Sequence, residues 1–432
     1  MLNNSTLAIS NQWHHTCKVN PNTVLACSVP LKRVKKTGIL RVGIGMKNIL
    51  YVHYGDDNIR GAESRLINLV ESLDRNRYKP LVWSNCEPLI ERLTNSELPN
   101  HYSPFHLMLG RKQPKFNVIG WCRQVNQAIT LIKQHDIDVI HINNGAPCQW
   151  MCLAAKLCKI PLVTQLHNNY RLRDRFTFGL HLSPCIVGVS YDVCEGLLDD
   201  DYPQDQLSVI YNGVAQELHQ KIDLRTHLNI PTSSYVFITV GPLIVSKGID
   251  LIIQALNIAS QDHDCHLVVI GEGEDRENLE LLINSSGLNE RVHLVGEQNN
   301  TADWLYGGAD AFISGARYEA FGHVIAEAGL AKLPIIAPRI GGIPEFINHE
   351  GNGLLFSIQN PINEMTEHML SLITQPQLGS RLGNDLYELT ASSLTVIANT
   401  QRFQRLYEKI YAEPSSMSLA CSLKPVLRWA FR

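Results

Sequence analysis

Short apolar runs alternate with stretches of helical periodicity along most of the chain. Such runs are typical of strands buried on both faces, and helices between them are typical of parallel sheets. Two series of these units predict an α/β fold of two doubly wound, Rossmann-like domains facing each other across a cleft. The runs are residues 49–54, 138–144, 161–167 and 185–190 in the first series, and 235–241, 266–273, 291–297, 311–315 and 333–338 in the second.

Changes in this pattern mark the predicted domain boundaries. The first 45 residues carry Asn, Ser, Thr, His and Pro without a steady period, which is typical of a poorly ordered extension. The predicted units are this extension (1–45), a first Rossmann-like domain (46–215), a linker (216–232), a second Rossmann-like domain (233–394), a final helix (395–411) and a tail (412–432).

Composition limits the classes of function. A chain of 432 residues exceeds one ordinary core, and its 44% hydrophobic and 18% charged residues suit a globular protein with large buried cores. The formal net charge of −3 provides no general attraction to nucleic acid. We therefore expect no nucleic-acid partner, and any bound anion must be held by a local site.

Cysteine usage and targeting signals bear on the compartment. The eleven cysteines form no C-x-x-C pair and no cluster at zinc spacing, which favours free thiols in a reducing compartment and no metal. With neither a long apolar run nor a signal-peptide pattern, we expect a cytoplasmic protein. Peripheral contact with a membrane is left open by the basic residues Arg111, Lys112 and Lys115 and by the tail 423–432. The alternative for the three basic residues is that they lie in a solvated loop.

Two carboxylates stand out in the segment RYEAFGHVIAEAGL, with Glu319 before a predicted helix and Glu327 inside it. The helix is predicted to begin near Phe321 or Gly322. The free N–H groups of residues 321–324, His323 among them, and the positive dipole end form an anion site. Vicinal diols donate well to carboxylates, so a nucleotide sugar, with hydroxyls on both sides of a diphosphate, fits this arrangement. The alternative is that both acids only complement the helix dipole.

Three further residues lie at strand ends or helix starts that face the predicted cleft. Lys247 lies at the turn into a helix predicted to begin near Gly248, where its ammonium is placed to pair with a phosphate. Gly61, in the motif GAE, supplies flexible backbone at a helix start. His167 ends an apolar strand and is placed to donate a hydrogen bond to a substrate. A solvated lysine and a structural histidine are the alternatives.

Together these motifs resemble the family 4 (group 1) glycosyltransferases, which are retaining sugar-nucleotide enzymes of the GT-B fold. The segment from Glu319 to Glu327 resembles the family's E-x7-E signature, and LPIIAPRIGGIPEFI and GNGLLF continue that pattern. Upstream, GAE, VIYNGV, VGPLIVSKG and LVVIGEG match in order and spacing. The resemblance covers residues 46–411.

The resemblance implies a role for each candidate residue. Glu319 would contact the hydroxyls of the transferred sugar, Glu327 would hold the ribose, and Lys247 would meet the diphosphate. His167 matches the family's histidine near the reacting carbon. The amides of the first helical turn, at Phe321, Gly322 and His323, and the loop at Gly61 would line the sugar and phosphates. The resemblance also implies no cofactor and no metal, and retention of configuration through attack on the same face.

The sequence departs from the family pattern at three positions. Pro242 replaces the usual phosphate-binding arginine, for which Arg317 and Arg339 are the candidate substitutes. Arg60 replaces one glycine of a customary pair, and Ala215 stands where an aspartate is common. By the same resemblance, the helix at 395–411 would cross back onto the first domain.

The predicted function is a retaining glycosyltransferase whose donor is a nucleoside diphosphate sugar. We expect the first domain to bind a glycan, lipid-linked or polysaccharide acceptor, and the second domain to bind the donor. Two alternatives are a sugar-nucleotide epimerase and a non-catalytic sugar-nucleotide-binding or scaffold protein of the same fold. Absence of the arginine at position 242 is the feature that favours the non-catalytic alternative. The oligomeric state is left open.

Overall fold

A computed structural model of the protein describes residues 45–109, 116–216 and 222–414. Several predictions fall on residues outside these ranges. They are the N-terminal extension as far as residue 44, the basic residues Arg111, Lys112 and Lys115, part of the linker (217–221) and the tail beyond residue 414.

The first half of the described chain is built on a parallel sheet. Its strands are β1 (Lys47–His53), β2 (Tyr78–Ser84), β3 (Asn100–Tyr102), β4 (Val139–Ile142), β5 (Leu162–Leu166), β6 (Ile186–Gly188) and β7 (Leu207–Val209). The strand order is β3-β2-β1-β4-β5-β6-β7. Strands β1 to β3 therefore follow one another outward to one edge of the sheet, and strands β4 to β7 follow one another outward to the other edge. Its helices are α1 (Gly61–Glu71), α2 (Glu87–Asn95), α3 (Val118–Gln134), α4 (Cys148–Cys158), α5 (Leu172–Thr177) and α6 (Tyr191–Asp199).

The second half repeats this architecture. Its strands are β8 (Tyr235–Val240), β9 (Cys265–Ile270), β10 (Val292–Gly296), β11 (Ala311–Ile313), β12 (Ile335–Pro338) and β13 (Leu354–Phe356), in the order β10-β9-β8-β11-β12-β13. Its helices are α7 (Leu224–Leu228), α8 (Ile249–Ala259), α9 (Arg276–Ser285), α10 (Thr301–Leu305), α11 (His323–Leu330), α12 (Pro361–Thr374), α13 (Pro376–Ser393) and α14 (Val396–Ala412). The two parallel sheets with their helices confirm the predicted α/β class.

Three strands of the first sheet, β2, β3 and β7, were not among the apolar runs seen in the sequence, and β2 and β3 show the reason. In β2, Lys79 and Pro80 interrupt the apolar pattern, yet every residue of the strand except Lys79 is buried. The strand pairs with β1 along its whole length, from Lys47 opposite Tyr78 onward. Strand β3 has only three residues, and none is buried. Pairing with neighbours, which the local pattern does not reveal, therefore decided these two elements.

The topology places the functional segments at equivalent points in both halves. In each sheet the order reverses direction beside the first strand, between β1 and β4 and between β8 and β11. A crevice opens at the carboxyl ends of strands where the order reverses, and ligands bind there in open parallel sheets. His167 follows β5, one strand from the first reversal, whereas Glu319 follows β11 at the second.

Helix α14 ends the described chain by packing against the first sheet. Its Tyr407 hydroxyl lies 2.6 Å from His141 Nδ1 and 3.1 Å from the Tyr51 hydroxyl, and all three residues are buried. Glu408 accepts a 2.7 Å hydrogen bond from the Tyr78 hydroxyl and pairs with Lys47 at 2.9 Å. These contacts hold the last helix, which follows the second sheet in the chain, on the first half.

His141 predicts how stability depends on pH. Burial lowers the pKa of His141 to about 3, and its Nε2 lies 3.1 Å from Gln165 Oε1, as expected for a neutral ring that donates there. Since the unfolded histidine takes up a proton near pH 6.5, stability is complete above that pH and falls as the pH drops toward 3. We expect a loss of about 2 kcal/mol from this residue between pH 7 and pH 5.

Denaturant unfolding at pH 7 and at pH 5 measures this loss, with His141→Gln as the comparison. The variant has no titrating ring at this position, so its stability is expected to fall less between the two pH values. Equal losses in both proteins would contradict the assignment.

Candidate active site

One cavity of about 510 Å³ has walls from both halves of the protein. Gly61 and His167 contribute from the first half, and Lys247, Glu319 and His323 contribute from the second. Phe321 also lines this cavity. A smaller cavity of about 30 Å³ is lined in part by Gly322, and it shares Lys247 and Glu319 with the larger one. Among the described residues that line these spaces, Glu327 does not occur.

Residues of the first half form the first wall of the larger cavity, and residues of the second half form its second wall. The Glu319 carboxylate is the central group of the second wall. Its Oε2 accepts a hydrogen bond from Lys247 Nζ at 2.8 Å, and its Oε1 accepts one from the Gly322 backbone N–H at 3.1 Å. One carboxylate thus accepts hydrogen bonds from both the ammonium and a backbone N–H at the start of α11. The pair is partly exposed, with 31% of the Lys247 side chain and 22% of the Glu319 side chain accessible. An anion entering the cavity would compete with this carboxylate for the same two positive groups.

Two glycines allow this arrangement of backbone. Gly248, which precedes α8, has a φ of +61°, and a Cβ there would lie 1.8 Å from the carbonyl oxygen of Gly315. The 3₁₀ turn Val245–Lys247 therefore packs directly on the segment that follows β11. Gly322, at the N-cap of α11, has a φ of +96°. Since other residues adopt positive φ at a cost, glycine is favoured at both turns.

Arg317 fixes the loop that carries Glu319. Its guanidinium donates to both carboxylate oxygens of Asp250, at 2.8 and 2.7 Å, and to the carbonyl oxygen of Val245 at 2.6 Å. It therefore joins the Glu319 loop to the turn that carries Lys247. Arg317 was a candidate to replace the arginine missing at position 242, but three of its five N–H donors are engaged in these contacts and it lines neither cavity.

His167 ends a chain of buried polar side chains in the first wall. Its Nε2 lies 3.1 Å from Asn143 Oδ1, and Asn143 Nδ2 lies 3.0 Å from His53 Nδ1 and 3.2 Å from the carbonyl oxygen of Ala62. The ring of His53 continues the chain through its Nε2, 2.7 Å from Glu63 Oε1. These residues come from the ends of β1, β4 and β5 and from the first turn of α1.

This series of hydrogen bonds determines which nitrogen of His167 carries a proton. Because Asn143 Nδ2 must donate to the Ala62 carbonyl, its Oδ1 is an acceptor and receives the N–H of His167 Nε2. Burial lowers the pKa of His167 to about 3, with a further contribution from the charge of Arg65. The ring is therefore neutral at pH 7, and its Nδ1 is an acceptor. Its donor nitrogen is engaged by Asn143 in this structure, and the predicted contact of His167 with a substrate stays a prediction.

Glu63 terminates this chain as a carboxylate. Its burial acts to raise the pKa, but hydrogen bonding from His53 and from the backbone N–H of Arg60 outweighs burial and lowers the pKa to about 2. The GAE motif thus supplies a buried anion that orients His53, in addition to flexible backbone at Gly61.

His323 and Glu327 pair with each other along α11. Their Nε2 and Oε1 atoms lie 3.1 Å apart, one helical turn from each other. Burial, together with the charge of Arg65, lowers the pKa of His323. Within the described ranges, His323 Nδ1 is buried and has no hydrogen-bond partner. His323 thus presents an unsatisfied nitrogen beside the cavity, while its other nitrogen contacts Glu327.

Direct contacts join the two walls. The Tyr318 hydroxyl accepts a hydrogen bond from the backbone N–H of Asn169 at 3.1 Å. Glu345, from the second half, accepts hydrogen bonds from the N–H groups of Tyr191 and Asp192 at 2.9 and 3.1 Å. Its carboxylate therefore caps α6 of the first half. The position of His167 relative to Glu319 depends on these contacts.

Comparison with known protein families decides the classification of this chain. The family described as glycosyltransferase family 4 matches residues 59–218, and the family described as glycosyl transferases group 1 matches residues 220–388. The two matches follow one another and together span both halves of the described structure. The chain belongs to the group 1, family 4 glycosyltransferases. The predicted family is therefore confirmed, and the alternatives of an epimerase and a scaffold protein are not favoured.

Relatives of this glycosyltransferase include proteins from archaea and bacteria. An uncharacterised glycosyltransferase of Methanocaldococcus jannaschii is 33% identical over 37% of this chain, and the match spans 43% of the archaeal protein. The N-acetyl-alpha-D-glucosaminyl L-malate synthase of Bacillus anthracis is 23% identical over 65% of this chain and 75% of its own length. The crystal structure of an Anabaena protein in complex with UDP superimposes with a TM-score of 0.73 at 20% identity, covering 84% of this chain and all of that one.

Four residues of the candidate site were not singled out in the sequence: His53, Glu63, Arg65 and Asn143. Arg65 lines the same cavity, and the other three form the chain behind His167. His53 and Asn143 stand at or just beyond strand ends, as His167 does, and that position was the available signal. Their contacts with one another join strands that are distant in sequence, so local spacing does not reveal them.

Asn143 provides a test of the His167 arrangement. We expect Asn143→Ala to lower kcat by about 10- to 100-fold with little change in the donor KM, because the ring loses the partner that fixes its orientation. Nitrogen NMR of the wild-type protein should show His167 protonated at Nε2. Asn48→Ala, which removes an exposed amide at the opposite end of β1, serves as the control. A wild-type ring protonated at Nδ1 would contradict the assignment.

Proposed function

We propose that this glycosyltransferase moves a sugar from a nucleoside diphosphate donor to a hydroxyl group of an acceptor, with retention of configuration and without a metal. The observation that carries this proposal is the 510 Å³ cavity, which brings Lys247, Glu319 and the start of α11 opposite His167. Positive groups for a diphosphate and hydrogen-bonding groups for a sugar lie in the same space. The Anabaena protein of similar fold has also been solved in complex with UDP-glucose, which supports this class of donor.

The donor is proposed to rearrange the contacts of Glu319. Its diphosphate pairs with Lys247 and with the amides at Phe321, Gly322 and His323, which are the strongest positive groups of the second wall. The Glu319 carboxylate is then available to accept hydrogen bonds from the sugar hydroxyls. Glu327, further along α11, is assigned to the ribose, and the backbone at Gly61 lies against the phosphates and sugar.

The reaction is proposed to follow attack on the same face of the sugar. The acceptor oxygen forms a bond to the anomeric carbon while the bond from that carbon to the phosphate oxygen breaks. The acceptor proton passes to the departing phosphate, so the products are a nucleoside diphosphate and a glycoside of unchanged configuration. Neutral His167, with an acceptor at Nδ1, orients a sugar hydroxyl near the reacting carbon. Contact between the walls excludes water, which limits hydrolysis of the donor.

The acceptor is proposed to be a glycan or a lipid-linked sugar bound by the first half. Phe116, just before α3, and Ile119, in its first turn, leave 67% and 70% of their surfaces exposed. These apolar groups support a lipid-linked acceptor and a peripheral contact with a membrane. None of the helices in the described ranges is long and apolar enough to cross a membrane.

Donor turnover tests the assignment of Glu319 and His167. With UDP-, GDP- and ADP-sugars as donors, we expect turnover of at least one, and a loss of about 100-fold or more in Glu319→Ala and His167→Ala because each removes a contact with the sugar. Glu277→Ala, on the exposed face of α9, is the control. Undiminished turnover in both site variants would defeat the assignment, and NMR of the product reports its anomeric configuration.

Metal dependence is tested by chelation. We expect EDTA to leave turnover unchanged, because Lys247 and the amides of α11 are proposed to neutralise the departing phosphate. No group of three or more His, Cys, Asp or Glu side chains suited to a metal occurs within the described part of the chain. Activity that disappears with EDTA and returns with added Mg²⁺ or Mn²⁺ would refute the metal-free proposal.

A further inference from the structure

Arg65 presents a positive charge to the cavity from the first wall. It lies on α1 and is half-buried, and it lines the same cavity as Lys247 and Glu319. Its Nη1 donates a 3.0 Å hydrogen bond to the carbonyl oxygen of Gly61 on its own helix. Within the described residues, its guanidinium makes no other side-chain hydrogen bond and no ion pair within 4.0 Å. Most of its five N–H donors are therefore not engaged by these residues.

The charged groups around Arg65 come from both walls. Glu319 and Glu327 face it from the second half, and Glu63 faces it from its own helix. Burial lowers the pKa of Arg65, and the three carboxylates oppose this effect. A guanidinium nevertheless remains protonated at neutral pH. Arg65 is thus a cation located between the two walls.

Each of these carboxylates already has another partner. Glu319 binds Lys247 and the N–H of Gly322, and Glu327 pairs with His323. The third, Glu63, accepts hydrogen bonds from His53 and from backbone. A partly buried cation without a close counter-ion is unfavourable, so the arrangement suits an anionic ligand that supplies the missing partner.

Among the residues that the structure describes, the second wall offers no comparable guanidinium. Position 242 is proline, Arg317 is held by Asp250, and Arg339 is exposed and does not line the cavity. Of the described cations that line the cavity, Lys247 belongs to the second half, and Arg65 and Arg60 belong to the first. Arg60 is exposed to solvent, whereas Arg65 is half-buried near Glu319.

We propose that Arg65 binds the phosphoryl oxygens of the donor diphosphate from the first wall, and so supplies the guanidinium that is absent at position 242. This proposal rests on the proposed function, in which the donor is a nucleoside diphosphate sugar. A planar guanidinium suits two parallel hydrogen bonds to a phosphate. Lys247 and Arg65 would then hold the diphosphate from opposite walls, and the charge of Arg65 would stabilise the departing phosphate.

Calorimetry with a nucleoside diphosphate and its nucleoside tests this role. The probe is whichever of UDP, GDP and ADP the wild-type protein binds most tightly. We expect Arg65→Gln to weaken diphosphate binding by about 10- to 100-fold and to leave binding of the nucleoside unchanged. Arg65→Lys should keep part of the affinity. Arg75→Gln is the matched control, because Arg75 also donates to a carbonyl of α1, that of Val70, but does not line the cavity.

A rescue variant separates direct binding from a structural effect. In the Arg65→Gln background, Pro242→Arg should restore at least part of the diphosphate affinity, because position 242 follows Gly241, which lines the smaller cavity together with Lys247. Unchanged thermal unfolding of Arg65→Gln checks that the fold is intact.

Other outcomes overturn the proposal in distinguishable ways. Wild-type affinity in Arg65→Gln would refute the role of Arg65 while leaving the proposed function in place, as would a loss found only in Arg60→Gln. Equal losses for the nucleoside and the diphosphate would show that Arg65 acts on the shape of the cavity. A wild-type protein that binds none of the three nucleoside diphosphates would refute the proposed function itself, and the role of Arg65 with it.

Discussion

The contact of Glu319 with Lys247 and with the N–H of Gly322 is the interaction on which the rest of the site depends. It joins a loop after β11, a turn after β8 and the first turn of α11 through one carboxylate. The Lys247 ammonium and the start of α11 are both positive, and the carboxylate between them accepts a hydrogen bond from each. We propose that a donor anion replaces it, because the contact is partly exposed and its partners are already oriented.

Supporting contacts keep this interaction in position. Gly248 lets the turn bearing Lys247 lie directly against Gly315, and Arg317 ties the Glu319 loop to Asp250 and to that same turn. Neither Arg317 nor these glycines needs to touch a ligand to matter. They position Lys247 and Glu319, which are proposed to contact the donor, and a site whose groups are already positioned costs less to order on binding.

The first wall uses a different kind of support. His167 is held by a chain of buried polar groups through Asn143 and His53 to the Glu63 carboxylate. Buried polar groups are costly when unsatisfied, and here each contact in the chain pairs a donor with an acceptor. The chain leaves His167 neutral with an acceptor nitrogen. Contacts between the halves, such as Glu345 with the start of α6, then bring this wall against the second.

The sequence by itself determined the α/β class and the likeness to the glycosyltransferases, and it identified Lys247, Glu319 and His167 as candidates. The class and the candidate residues follow from local patterns, since buried strands are continuous apolar runs and binding groups lie at strand ends and helix starts. The likeness rests on the resemblance of the motifs. Only the tertiary structure decided that Lys247 pairs with Glu319, 72 positions away, that Asn143 orients His167, and that Arg65 faces the same cavity. Such contacts depend on how the parallel strands are ordered and on how the two sheets meet. Local periodicity does not encode which residues distant in sequence come together in this way.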